Sequence, residues 1–182
     1  MTQPTHSMKP SEEADAHQLK LARREGDAYQ ESLNYMVQEV ADSGAVQRDG
    51  DYLIGYAQEK AEGMYAPREE GTLEWTAPTD ENCHIEVSVS DASDGRFLPQ
   101  LTIHATLTGQ GETVGPFEVP FLWHPGLYHY GKNIRVPGDG EYDLTVRVEA
   151  PTFMRHDKQN GQRYARGAEV TFRKIQVKTG QG

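Results

Sequence analysis

The chain has 182 residues, 36% of them hydrophobic, and its 28 acidic and 18 basic residues give a formal net charge of −10. This length is typical of one domain with an appendage. With this negative charge, the sequence shows no basic patch that could bind the phosphate groups of nucleic acid or of an anionic membrane. Neither is therefore an expected partner. The single cysteine, Cys83, excludes an internal disulfide and a thiolate metal cluster.

The first ten residues are mostly polar and contain two prolines, which predicts a disordered tail over residues 1–10. No apolar run resembles a signal peptide or reaches the length of a membrane span. The sequence therefore predicts a cytoplasmic protein, or one whose leader has been removed, and no direct membrane insertion.

Residues 11–44 predict an amphipathic helix that begins at Ser11 and stops at Gly44. Its apolar stripe recurs at steps of three and four residues, and consists of Leu19, Ala22, Gly26, Tyr29, Leu33, Met36 and Val40. Gly26 marks a kink or a close approach to another segment. The stripe needs a partner surface, which is either the rest of this chain or a second copy of the helix.

Short runs with alternating apolar residues follow, separated by Gly, Pro and Asp, and they predict a mainly β domain over residues 50–178. The predicted strands cover 52–56, 72–76, 83–90, 101–107, 114–122, 142–148 and 170–177. Pro116 and Pro120 place the fifth of these near a sheet edge. A phase slip at Arg173-Lys174 predicts a β-bulge in the last strand.

Seven or eight short antiparallel strands indicate an immunoglobulin-like β-sandwich. Asp139 to Leu144 resembles the tyrosine corner of such sandwiches, with Tyr142 as its tyrosine. A long polar loop spans residues 150–167, and long loops on a sandwich are often functional.

The stretch Trp123–Asn133 reads WHPGLYHYGKN and predicts a loop rich in imidazole. His129 lies between Tyr128 and Tyr130, which could fix its ring, and His124 is a second candidate ligand in the same loop. The alternative is that His129 only packs in an aromatic cluster.

His84 and Glu86 are two residues apart on a predicted strand, so both side chains point to the same face. An imidazole beside a carboxylate is half of a first-row metal site, although polar residues on an exposed strand face are also ordinary. His156 lies in the long loop before the last strand and is another candidate ligand. His104 is either a supporting residue or a solvated surface histidine.

The sequence contains no nucleophile elbow, zinc-protease helix, phosphate-binding loop or dinucleotide fingerprint. An enzyme built on this chain would have to use a bound metal.

Four segments, taken in their order along the chain, resemble motifs of the Fe(II) transport protein family. These are periplasmic metal-binding proteins that assist high-affinity iron uptake in bacteria. The four segments are His84-Ile85-Glu86, Phe97 to Ile103, His129 to Ile134, and Arg155-His156-Asp157. Tyr52 to Met64, which includes Glu59, also resembles a shortened form of the family's first strand. The resemblance covers roughly residues 50–178.

The resemblance implies a non-enzymatic protein that binds copper or iron, with zinc or manganese as further options, and passes metal to a membrane iron permease or another acceptor. It also implies a homodimer and a metal site at His84, Glu86, His129 and His156. Tyr128, Tyr130, His104 and Glu59 are candidate supporting residues.

The sequence departs from the family where a methionine is expected several residues before the His129 motif. His124 could take that place, or the metal preference could differ, because thioethers suit Cu(I) whereas imidazoles and carboxylates suit Cu(II), iron or zinc. Two other functions stay open: a metal-free interaction or dimerisation module on the same sandwich, and a metal-dependent redox enzyme.

Overall fold

The computed structural model describes residues 7–182, which form a helix packed on a β-sandwich. Helix α1 spans Ala16–Tyr35 and continues into a π-helical turn, Met36–Val40. The strands are β1 (Ser43–Asp49), β2 (Tyr52–Glu59), β3 (Met64–Pro67), β4 (Leu73–Thr76), β5 (Cys83–Asp91), β6 (Ile103–Gly109), β7 (Glu112–Glu118), β8 (Phe121–Leu122), β9 (His129–Ile134), β10 (Gly140–Val148) and β11 (Ala168–Val177).

Two antiparallel sheets enclose one core. The first sheet has the order β1-β2-β5-β9-β8, the second has the order β11-β10-β6-β7, and β3 and β4 form a separate hairpin. The predicted β-sandwich is confirmed, with eleven strands among residues 7–182 where seven or eight were expected. The predicted tail of residues 1–10 falls partly outside the described residues. Within the described part, the Lys9 backbone exchanges hydrogen bonds with the Asn160 side chain.

Strand β5 lies at the centre of the first sheet and is buried on both faces. Its odd-numbered residues from Cys83 to Val89 face the core between the sheets and have no exposed surface. Its even-numbered residues, His84 to Ser90, lie on the outer face and are buried as well. The sequence predicted a half-buried strand, and this was wrong because α1 covers the outer face of the sheet.

The helix begins later and ends earlier than predicted. Asp15 caps α1 in a reciprocal capping box with Gln18, in which each backbone N–H donates to the other side chain at 2.8–2.9 Å. Ser11 instead caps the turn before it, where its hydroxyl accepts the N–H of Ala14. Gly44 is not a helix stop, because it lies in β1.

The helix packs on its own chain, which is one of the two arrangements left open above. Leu33 and Met36 pack with Ala57 of β2 and with Leu127. Gly26 marks a close approach, since a Cβ there would lie 1.7 Å from the Asp94 carbonyl oxygen.

Three other predicted segments need correction. The predicted strand 114–122 is two strands, β7 and β8, which belong to different sheets. β7 is the edge strand that Pro116 indicated. No strand was predicted between residues 57 and 71, where Met64–Pro67 forms β3. The predicted histidine loop ends at Tyr128, because His129 begins β9, which pairs with β5.

Two local features are confirmed. The Tyr142 hydroxyl donates to the Gly138 carbonyl at 2.8 Å, which forms the tyrosine corner. The pairing of β10 with β11 shifts so that Arg173 and Lys174 together oppose Asp143, which is the predicted bulge.

Candidate metal centre

Three buried side chains converge on the outer face of the first sheet. His84 and Glu86 project from β5, and His129 projects from the first residue of β9. The Nε2 atom of His129 lies 3.1 Å from Glu86 Oε1, and the Nε2 atom of His84 lies 3.8 Å from the same oxygen. The three residues can place one ligand atom each within 4.8 Å of the other two. Each of these side chains is more than nine-tenths buried.

The far nitrogen of the His129 ring is held by the backbone. His129 Nδ1 lies 3.0 Å from the carbonyl oxygen of Leu127. A carbonyl oxygen only accepts, so Nδ1 carries the proton and Nε2 is the nitrogen directed at Glu86. This is the usual way in which a metal-ligating histidine is oriented.

His84 is fixed in the same way by Asn133. The Asn133 amide pairs with the Glu62 backbone: its Nδ2 donates to the Glu62 carbonyl at 2.6 Å, and its Oδ1 accepts the Glu62 N–H at 3.2 Å. This pairing fixes the orientation of the amide. Its Oδ1 lies 2.9 Å from His84 Nδ1, so that nitrogen is the donor and Nε2 keeps its lone pair.

A glycine makes room for the His84 ring. Gly131 of β9 lies directly opposite Glu86. A Cβ at this position would lie 2.9 Å from His84 Nε2 and 2.7 Å from the Leu122 side chain. The ring therefore needs a residue without a side chain at position 131.

The cluster is electrostatically coupled. Burial lowers the pKa of His84 below its ordinary value, and the neighbouring carboxylate of Glu86 offsets this only in part. Burial alone would lower the pKa of His129, but its hydrogen bond with Glu86 and the charge of that carboxylate raise it. Burial alone would raise the pKa of Glu86, but His129 and His84 lower it. Glu86 is thus ionised and faces two imidazoles.

This donor set fits a first-row transition metal. Two imidazole nitrogens and one carboxylate oxygen are ligands for copper, iron, zinc or manganese, and both rings present Nε2 with the other nitrogen engaged. Bound there, a metal ion would be held by His84, Glu86 and His129.

His156 and His124 lie outside this cluster. The His156 side chain is 92% exposed and pairs with Glu13, 3.0 Å away, so the folded chain does not bring it to the other three ligands. The His124 ring lies beside His129, with 5.8 Å between ring centroids. Its Nδ1 accepts the N–H of Gly126, which leaves the proton of the neutral ring on Nε2.

The four candidate supporting residues fall in different places. Tyr130 faces the core, opposite to His129, and its hydroxyl donates to the Leu98 carbonyl. Tyr128 is half exposed and makes an edge-to-face contact with Phe121. His104 lies on β6 of the second sheet, 3.7 Å from Glu149. Glu59 ends β2 directly opposite His84.

Sequence reasoning did not assign roles to Asn133, Gly131 or the Leu127 carbonyl. A signal was present for the first two, because His129, Gly131 and Asn133 alternate and would share one face of a strand. Tyr29 was also missed. Its hydroxyl donates to the Tyr128 carbonyl at 2.8 Å and so ties α1 to the segment before His129.

Several solved structures share this fold. FetP of uropathogenic Escherichia coli is 18% identical, with 75% of this chain and 95% of that chain covered and a TM-score of 0.58. The copper-reconstituted P19 protein of Campylobacter jejuni is 20% identical, with 75% and 94% covered and a TM-score of 0.61. A copper-bound variant of P19 with isoleucine in place of a methionine is 20% identical, with 76% and 96% covered and a TM-score of 0.59.

None of the curated proteins matches the sequence at a significant level. No helix among residues 7–182 is long and apolar enough to cross a membrane. The sequence profile of the family described as Fe2+ transport protein matches residues 64–178, which is more than half of the chain. The chain therefore belongs to the Fe2+ transport protein family.

Proposed function

We propose that this protein is a non-enzymatic binder of a transition metal ion, copper or iron, and that it passes the metal to a transporter or partner protein during iron uptake. The observation that carries the proposal is the buried cluster of His84, Glu86 and His129, in which both rings direct Nε2 at one carboxylate. A preformed set of this kind binds a divalent ion with little reorganisation.

The related structures support copper as one of the ions, since FetP and P19 variants are described as copper-bound. The family description, Fe2+ transport protein, supports iron as the other. FetP was recombinantly expressed in the periplasm. This supports the proposal that this protein also captures metal outside the cytoplasm.

The test is metal analysis of the purified protein and its variants. The wild type is expected to bind about one ion per chain at the cluster. His129→Ala is expected to weaken binding by more than the roughly 100-fold that loss of a supporting group can cost, because it removes a ligand. His104→Ala is the matched control, since this histidine also faces a glutamate but lies on the other sheet.

A folded wild-type protein without metal affinity would favour the metal-free interaction module. Metal binding that survives both His84→Ala and His129→Ala would place the site elsewhere. Turnover of a redox dye or superoxide that depends on these histidines would favour an enzyme.

The homodimer, the permease or other acceptor, and the role of His156 as a ligand stay predictions. Light scattering of the purified protein tests the dimer. The metal affinity of His156→Ala tests whether His156 is a ligand. If it is, this variant loses about as much metal affinity as His129→Ala does.

A further inference from the structure

A second glutamate faces the cluster from the neighbouring strand. Glu59 is the cross-strand partner of His84 in the pairing of β2 with β5. Directly opposed residues of an antiparallel pair project to the same face with Cβ atoms about 5 Å apart. The Glu59 oxygens are not among the ligand atoms that lie within 4.8 Å of one another, but the side chain lies on the face from which a rotation would direct it toward a metal ion bound to His84. Glu59 precedes residues 64–178, to which the family profile matches.

One oxygen of the Glu59 carboxylate, Oε1, is buried without a polar partner among the described residues. The Glu62 side chain forms a hydrogen bond with the Glu59 side chain. Glu59, Glu62 and Glu86 thus lie near the rings of His84 and His129. Among residues 7–182, no basic side chain forms an ion pair with Glu59.

The three-residue cluster is also incomplete as a coordination sphere. Zinc usually has four ligands, and manganese or iron has more. His84 and His129 supply one nitrogen each, and Glu86 supplies one oxygen, or two if it binds through both. Leu122, which lies beside Gly131 as His84 Nε2 does, offers no donor atom. Glu59 is the acidic side chain placed opposite that ring.

We propose that Glu59 is a fourth ligand of the metal centre, supported by Glu62, and that it makes the centre selective for hard divalent ions, Mn(II) and Fe(II), over Cu(I). Two neutral imidazoles and two carboxylates balance the charge of a divalent ion, while the same set leaves a monovalent ion with a net negative charge. Oxygen donors also suit manganese and iron, whereas Cu(I) prefers sulfur. This inference rests on the proposed function.

Glu62 is placed to hold Glu59 in position. Its backbone is paired with the Asn133 amide that orients His84, so Glu59, Glu62 and the His84 ring belong to one connected group. Glu62 itself is an exposed residue, so we assign it a positioning role and not that of a ligand.

The experiment compares Mn(II) and Cu(I) affinities of the full-length, metal-free protein with those of Glu59→Gln. Mn(II) is followed by the loss of its free-ion EPR signal, and Cu(I) by competition with a chromophoric chelator. Glu59→Gln is expected to weaken Mn(II) by at least the ~10-fold that loss of a supporting group costs, and to change Cu(I) affinity by less than about 2-fold. Glu62→Gln is expected to have a smaller effect in the same direction.

Glu118→Gln is the matched control. Glu118 lies opposite His104 in the pairing of β7 with β6, as Glu59 lies opposite His84, but on the second sheet. Its Mn(II) affinity is expected to equal that of the wild type.

Wild-type Mn(II) affinity in folded Glu59→Gln overturns the inference while leaving the proposed function intact. A wild-type protein that binds no metal would remove the proposed function itself. If Glu59→Gln does not fold, Glu59→Asp decides, since it keeps the charge but withdraws the carboxylate by one methylene. Unchanged Mn(II) affinity in that variant also overturns the inference.

Discussion

At the scale of single residues, the candidate centre depends on two imidazole rings that are already oriented. The Leu127 carbonyl and the Asn133 amide each accept from one Nδ1, which leaves both Nε2 atoms directed at Glu86. Because these contacts fix the orientation of both rings, little conformational entropy has to be lost when an ion binds.

The space for the His84 ring gives a prediction at Gly131. Gly131→Ala would bring a methyl group within 3 Å of His84 Nε2 and of Leu122. We expect a loss of about 1–3 kcal/mol in the free energy of unfolding, typical of overpacking, together with weaker metal binding because the ring is displaced. Urea denaturation and metal titration measure the two effects.

Gly126→Ala is the control in the same segment. A Cβ there would make only ordinary contacts with His124, at 3.4–3.5 Å. If Gly131→Ala bound metal as the wild type and Gly126→Ala did not, the assigned geometry would be wrong.

At the scale of elements, helix α1 changes the character of the sheet that it covers. Tyr29 and Gln30 of the helix bond to Ser88 and Ser90 on the outer face of β5. Leu33 and Met36 pack over Ala57, the residue opposite Glu86. The helix therefore buries the polar face that carries the cluster, and electrostatic interactions are stronger in such a dry environment.

Docking of α1 depends on the close approach at Gly26. Alanine is the better helix former by about 1 kcal/mol, so Gly26→Ala would stabilise an isolated helix. In the protein its methyl group would overlap the Asp94 carbonyl, which is backbone and cannot rotate away. We expect a net destabilisation of about 1–3 kcal/mol, measured by urea denaturation.

Asp27→Ala provides the comparison, because Asp27 is the exposed neighbour of Gly26. This variant is expected to lie within about 0.5 kcal/mol of the wild type, as surface substitutions usually do. A stabilised Gly26→Ala protein would show that α1 does not rest on Asp94.

The elements differ in how far the sequence reveals them. Strands β5, β6 and β10 alternate clearly, and the phase slip in β11 located its bulge. Strand β9 was interpreted as a loop because both of its faces are buried, so tyrosine, glycine and asparagine replace the usual apolar–polar alternation. The docking of α1 on the outer face could not be settled from the sequence, since the stripe alone is also compatible with a second copy of the helix.

The candidate site shows the same limit. The spacing of His84 and Glu86 is local information, and the structure does place them on one face. The meeting of β5 with β9 and the distance of His156 from the cluster depend on sheet order and on the path of the long loop. Neither is encoded in a short pattern.

At the scale of the whole molecule, a buried ionic network joins the long loop to the end of the first sheet. Asp91, the last residue of β5, is 1% exposed and accepts from Arg163 at 2.8–2.9 Å. Ser93 and the Tyr164 hydroxyl also donate to it. The loop that carries His156 is thereby attached to the strand that carries His84 and Glu86.

Removal of this carboxylate is expected to be costly. Asp91→Asn would leave the guanidinium of Arg163, whose side chain is only 10% exposed, without the Asp91 charge. Breaking a buried pair in this way typically costs about 3–5 kcal/mol. We expect a loss near the lower end of that range at pH 7, measured by urea denaturation, and no comparable loss in Asp27→Asn on the exposed side of α1.

The pH dependence of this loss follows from the titration of Asp91. Burial alone would raise the pKa of Asp91, but the hydrogen bonds from Ser93 and Tyr164 and the charge of Arg163 lower it below its ordinary value of 3.8. A carboxyl group with a lowered pKa in the folded protein stabilises the fold fully above its unfolded pKa, and this contribution disappears as the pH falls through the folded pKa. The difference in unfolding free energy between wild type and Asp91→Asn should therefore be constant from pH 7 to about 5 and shrink below about 4. A difference that grows on acidification would mean that Asp91 is not the ionised partner of Arg163.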